Sequence, residues 1–289
     1  MHPAPSIILF TVLSGVGFGM LAFLGFDLTA PTGWTAFWFF LIAFVLAVGG
    51  LVSSTFHLGH PERALKAFSQ WRSSWLSREG VLAVATLGVM GLYGFLLVFF
   101  DRQFSTLGFL GGGLALITVF ATSMIYAQMK TVPRWNNWTA PTLFLAFALT
   151  GGALMTGRVS LVIWLLPVLG ILQIVAWFDQ DRREASADTN VATATGLGKI
   201  GKVRAFEAPH TGENYLTREM VFRIGRKHAT TLKVISLVLF AVLPLILLLL
   251  PFHHVLALLA VLSHLAGVIV QRWIFFAEAR HVVSEYYGR

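Results

Sequence analysis

Protonatable side chains crowd two short stretches, His57-Leu58-Gly59-His60-Pro61-Glu62-Arg63-Ala64 and Trp75-Leu76-Ser77-Arg78-Glu79, which lie between two long apolar runs. A histidine with an unperturbed pKa of about 6.5 and a carboxyl partly removed from water both exchange protons near neutral pH. Placed where membrane spans end, that chemistry suits the protonation or deprotonation of a lipid-soluble redox carrier. His57 and Glu79 are the candidate proton carriers. Simpler roles stand beside these: His57 as a helix-end hydrogen bond, Glu79 as a favourable charge at a helix N-terminus. His60 reads as a local structural residue.

The elements that hold these groups follow from composition. With 56% hydrophobic and 12% charged residues, and a mean hydropathy of +0.76, the 289-residue chain is too apolar for a soluble domain. Apolar runs of about 20 residues, enough to cross a hydrocarbon layer of about 30 Å, occur at 6–26, 34–56, 80–100, 106–127, 139–156, 159–177, 231–250 and 254–276. Backbone polar groups in lipid must be satisfied internally, so these runs predict an all-α integral membrane protein of eight transmembrane helices, arranged as two adjoining four-helix bundles. The first run lacks a basic leader and a clear cleavage site, so it reads as a retained span. Gly15, Gly17 and Gly19 have no preceding strand to make a nucleotide loop; Gly15 and Gly19 predict close helix packing.

Charge sets the expected orientation. Of 21 Lys and Arg, 17 fall on one side of an eight-span chain, while only Arg102 and Arg158 lie opposite and Lys233 and Arg272 sit within spans. The positive-inside rule then places both termini and the large loops in the cytoplasm. The 178–230 loop is basic and long, and its end, 216–227, reads as an interfacial amphipathic helix. The loop is suited to docking a partner, with contact to anionic membrane lipids as the alternative; nothing suggests nucleic acid.

The chain has no cysteine, so it holds no Cys-ligated iron–sulfur cluster and any such cluster belongs to another subunit. Redox work here needs a quinone, or a haem b on histidines such as His228 and His264, although no pairing in the sequence calls for haem. His264 alone lies close to the middle of a span, which argues against an ion-coupled transporter. Arg272 and Glu278 lie near the level of the His57 cluster.

The two stretches above, with Ser74 before Trp75, and the Thr131-Val132-Pro133-Arg134-Trp135 run together resemble the membrane-anchor subunits of dimethyl sulfoxide reductase and its relatives. The resemblance covers nearly the whole chain, least closely in the 179–227 loop. It implies a heterotrimer of a molybdopterin catalytic subunit, an iron–sulfur electron-transfer subunit and this anchor, which exchanges electrons with ubiquinone or menaquinone. The family's histidine and glutamate at the quinol site match His57 and Glu79, and its basic residue in the last span matches Arg272 through a shorter motif. Beside them, Arg63, Arg78 or Arg272 would stabilise developing negative charge, and Trp71 and Trp75 would wall the quinone-binding site. For the tryptophans the plainer role is an interfacial belt, and for Arg63 and Arg78 it is lipid or subunit contact. The cytoplasmic orientation points, among such relatives, to sulfite dehydrogenases that reduce quinone. A quinol-oxidising reductase anchor and a haem-bearing cytochrome-like anchor are the alternatives.

Overall fold

The computed structural model describes residues 2–26, 31–56, 60–187, 190–207, 211–212, 214 and 228–287. The described residues are helical or irregular, with seven helices long and apolar enough to cross a membrane and one shorter apolar helix. In chain order we label them α1 (Pro5–Gly25), α2 (Gly33–Thr55), α3 (Trp75–Phe100), α4 (Ser105–Ala127), the shorter α5 (Thr139–Met155), α6 (Val159–Ser186), α7 (Ala229–Leu249) and α8 (His254–Ala277).

Helix α1 lies at the centre: 78% of its apolar window is buried, more than in any of the other six long helices. It packs on α2, α4, α5 and α8. Small residues make this possible, because a side chain at Gly17 would strike the backbone of Ala43 and Ala47 on α2, and one at Gly19 would strike the carbonyl of Ala148 on α5. Gly15, expected to share that role, has open space where its Cβ would be. Gly17 and Gly19 point to nearly opposite sides of α1, one against the α2 backbone and the other against that of α5, while Gly15, one turn before Gly19, lies where no neighbouring chain comes close.

Two helices reach further than hydropathy suggests. Helix α3 begins at Trp75 instead of 80, because Arg78 donates from Nε to the Trp71 carbonyl (3.0 Å) and from Nη2 to the Arg72 carbonyl (2.7 Å), fixing the turn that feeds it. Glu79 therefore sits inside the helix. Helix α6 runs to Ser186, well past 177, so the segment expected to be loop from 178 begins as a polar helical extension. An Arg183–Asp179 pair, four residues apart at 2.8 Å, supports it. At about 1.5 Å per residue, its 28 residues span about 42 Å, which exceeds the hydrocarbon layer. The amphipathic helix expected at 216–227 lies outside the described residues.

A π-turn at Val238–Val242 interrupts α7 and frees carbonyls from the regular ladder. Ser263 Oγ donates to the Leu239 carbonyl (2.7 Å), and His264 Nδ1 meets the Phe240 carbonyl at 2.7 Å. Since a carbonyl only accepts, Nδ1 carries the hydrogen and Nε2 is left as the other ring nitrogen.

Candidate functional site

One end of the bundle gathers groups from α3, α4, α5 and α8, each close to the end of its helix. Glu79 follows the start of α3, Thr122 and Tyr126 precede the end of α4, Phe144 follows the start of α5, and Arg272 precedes the end of α8. Helices that alternate in direction thus bring these residues to one level. Glu79 is 4% exposed and accepts a hydrogen bond from the Thr122 hydroxyl across the α3–α4 interface.

One turn further along α4, Tyr126 is also buried and lies within electrostatic reach of both Glu79 and Arg272. Its ring is enclosed by Trp135, Phe144, Phe275 and Phe276, with centroids 5.4 to 5.7 Å away. Arg272, 2% exposed, lays its guanidinium carbon 3.7 Å from the Phe144 ring centroid and 5.1 Å from that of Phe147. That is a cation–π contact in a desolvated setting. Yet Nε and Nη1 have no hydrogen-bond partner among the described residues. Beside Arg272, Thr11, Gly15, Val16 and Phe147 help line a cavity of ≈ 10 Å³, about the room one water needs and far short of an aromatic ring.

The Thr131–Trp135 run braces this set from outside the membrane core. Arg134 donates to Asp181 (2.6 Å) and Glu184 (2.7 Å) on α6 and to Glu278 (3.0 Å) just past α8. Lys233 of α7 completes the network, 2.9 Å from Glu278 and 3.7 Å from Asp181. Burial works to lower the Arg134 pKa, but the carboxylates of Glu278, Glu184 and Asp181 outweigh it and hold the guanidinium above its ordinary value. Trp135 donates from Nε1 to the Phe275 carbonyl (3.0 Å) and stacks on the Phe275 ring. The loop thereby fixes the end of α8 that carries Arg272.

Of the residues singled out by sequence, Glu79 and Arg272 come together around Tyr126. His57 lies outside the described residues. The others take surface positions: Arg63 and Trp71 are exposed, and His60 pairs with Glu62 at 2.9 Å among exposed groups. Arg78 lies 4.4 Å over the Trp75 ring while it holds the carbonyls of the preceding turn, and Trp75 also packs on Phe120. His228 stands exposed at the start of α7, whereas His264 is buried midway along α8, so the two candidate haem ligands stand at different depths. No group of three or more metal-binding side chains occurs among the described residues.

Sequence reasoning missed Thr122 and Tyr126. The signal was present as polar residues at four-residue intervals, Thr118, Thr122 and Tyr126, along an apolar helix. Thr118 meets Thr86 of α3 at 2.9 Å, so the stripe faces α3.

The arrangement can hold a proton on a fixed carboxyl, present a hydroxyl and place an unpaired positive charge, all out of bulk water. A family model described as the DMSO reductase anchor subunit (DmsC) matches residues 1–277. Over 323 aligned positions the chain is also 31% identical to a protein of Allochromatium vinosum named as a sulfite dehydrogenase subunit, with 99% of each chain covered. No solved structure gives a significant match.

Proposed function

The chain belongs to the DMSO reductase anchor-subunit family, and from that membership we propose that it is the quinone-reactive anchor of a heterotrimeric molybdopterin oxidoreductase. It crosses the bacterial inner membrane eight times, as two four-helix groups, α1–α4 and α5–α8, joined through α1. Helix α5 makes the eighth crossing; its 17 residues span about 25 Å, close to the hydrocarbon thickness. Charge on the connecting loops supports a cytoplasmic site, with the iron–sulfur and catalytic subunits docked on that face.

The observation that carries the reading is the buried set of Glu79, Thr122, Tyr126 and Arg272 at one end of the bundle. Ionisable residues buried at membrane depth are costly and mark functional sites by default. A quinone supplies the two-electron chemistry. Glu79 holds and passes a proton at its carboxyl, and Thr122 fixes that carboxyl's orientation. Arg272 stabilises negative charge as it develops on a ring oxygen. His57, matched to the family's quinol-site histidine, would hydrogen-bond a quinone carbonyl. The clefted quinone site requires side-chain movement at Phe144 and Phe147, since the present cavity admits only a water.

The full-length relative named as a sulfite dehydrogenase subunit favours sulfite as the electron donor. The balanced reaction is then sulfite plus water plus quinone giving sulfate plus quinol, with electrons reaching this chain through the partner's clusters. In purified complex, Glu79→Gln and His57→Ala should each abolish sulfite-dependent quinone reduction and leave sulfite oxidation by an artificial acceptor intact. Full quinone reduction in both variants would refute the reading.

A further inference from the structure

Polar residues recur every seventh position on the facing sides of α6 and α8: Gln173 and Gln180 on one, His264, Gln271 and Glu278 on the other. Seven residues return a helix to nearly the same direction, within about 20°, so each set forms a stripe. Gln173, Gln180, His264 and Gln271 are all buried, as is Ser236 of α7, three residues beyond Lys233. The stripes meet at one hydrogen bond, Gln271 Nε2 to Gln173 Oε1 at 2.9 Å.

The pair leaves Gln173 Nε2, a donor, and Gln271 Oε1, an acceptor, without partners among the described residues. On the same helix, Arg272 Nε and Nη1 and His264 Nε2 are buried and have no partner among the described residues. A Cβ added at Gly151 would lie 3.6 Å from His264 Nε2 and 3.0 Å from Val16, and Val16 also lines the cavity beside Arg272. The unpartnered atoms on α8 thus fall within about two turns of one another, Arg272 directly following Gln271. A single water can accept from Gln173 and donate to Gln271, which is how buried polar groups of this kind are ordinarily satisfied.

We propose that the Gln173–Gln271 pair is the inner end of a hydrated seam between α6, α7 and α8, which carries a proton from the Lys233–Glu278 ion pair to the Arg272 side of the site. The proposal rests on the quinone reading above. Quinone plus two electrons plus two protons gives quinol, and the two protons bind oxygens on opposite edges of the ring. Glu79 serves one edge. The seam serves the other: at each hop one O–H bond forms as the next breaks, no electron moves along it, and the electrons come from the partner iron–sulfur subunit. Tyr126 lies within electrostatic reach of both Glu79 and Arg272.

The test uses the intact heterotrimer carrying Gln173→Leu together with Gln271→Leu, which removes both amides without stranding either. The expected result is a fall in kcat for quinone reduction of about tenfold or more, with the quinone KM unchanged and a larger solvent deuterium isotope effect. Wild-type kcat, or a fall with an unchanged isotope effect, overturns the seam. A high-resolution cryo-electron-microscopy map of the unmutated complex gives an independent readout: ordered water at Gln173 Nε2 and Gln271 Oε1 supports the seam and a dry gap overturns it. Glu79→Gln separates the two levels. If it abolishes quinone reduction while the double variant does not, the seam alone fails; if neither variant affects it, the quinone reading fails as well.

Discussion

Thr122 donates its hydroxyl hydrogen to Glu79 across the α3–α4 interface, one helical turn from Tyr126. The hydroxyl orients the carboxyl and takes the place of the water it has lost. Thr122→Val keeps the shape and removes the donor, so it should lower kcat for quinone reduction by about tenfold, while Thr122→Ser restores most of it. Steady-state kinetics of the two variants, each checked for assembly with its partners, measure this. Equal rates in the valine and serine variants would show that the bond has no functional role.

Close approach of α1 to its neighbours depends on individual glycines. A methyl at Gly19 collides with the Ala148 carbonyl, whereas a methyl at Gly15, one turn away, meets nothing within 4 Å. Gly19→Ala should therefore reduce the folded yield in membranes severalfold and lower the Tm, and Gly15→Ala should do neither. Fluorescence-detected size exclusion of tagged protein compares them directly; matching profiles would contradict the packing.

The helices were legible because lipid leaves a chain few alternatives, and apolar runs therefore mark them. Glu79 and Arg272, both buried, were singled out by their motifs. Thr122 and Tyr126 were not, because a threonine and a tyrosine blend into an apolar run until the facing helix is known. The contacts of Arg78 were hidden for a different reason. It sits in the same motif as Glu79, and only the geometry shows it spent on the Trp71 and Arg72 carbonyls.

Arg134 answers to three carboxylates on two helices, and no other described cation reaches all of them. Its loss leaves Asp181, Glu184 and Glu278 repelling one another, relieved only by Lys233. Arg134→Ala should cost about 3 kcal/mol, with the exposure of Asp181 keeping the loss from being larger. Arg134→Lys should recover little of it, since an ammonium lacks the planar fork. Thermal unfolding in detergent tests both, and a lysine variant as stable as wild type would mean that charge alone suffices.

His281, beyond α8, accepts the Val283 amide hydrogen at Nδ1 (3.1 Å), and burial pushes its pKa below the ordinary histidine value. The folded state therefore favours the neutral ring. Stability from this group is complete above the unfolded pKa of about 6.5 and declines as pH falls below it, where the unfolded chain takes up the proton more readily. Amide exchange at Val283 should accelerate between pH 7 and pH 5 relative to the intrinsic rate. In His281→Asn, whose side chain can accept the same bond without titrating, that acceleration should vanish. A pH-independent relative rate in the unmutated protein would rule the effect out.

Arg272 has no salt bridge among the described residues, and two of its nitrogens lack hydrogen-bond partners. A structural arginine in lipid would be paired, because an unpaired buried charge burdens the fold. Removing it should therefore separate stability from activity. Arg272→Met, which keeps much of the volume against Phe144 and Phe147, should leave the Tm unchanged or raised while quinone reduction falls by about a hundredfold. Arg272→Lys should fall between, since it retains the charge but not the guanidinium lying 3.7 Å over Phe144. If Arg272→Met instead lowers the Tm by several degrees and leaves quinone turnover intact, the cation is part of the scaffold. The positive charge at this end of the bundle would then have to be assigned elsewhere.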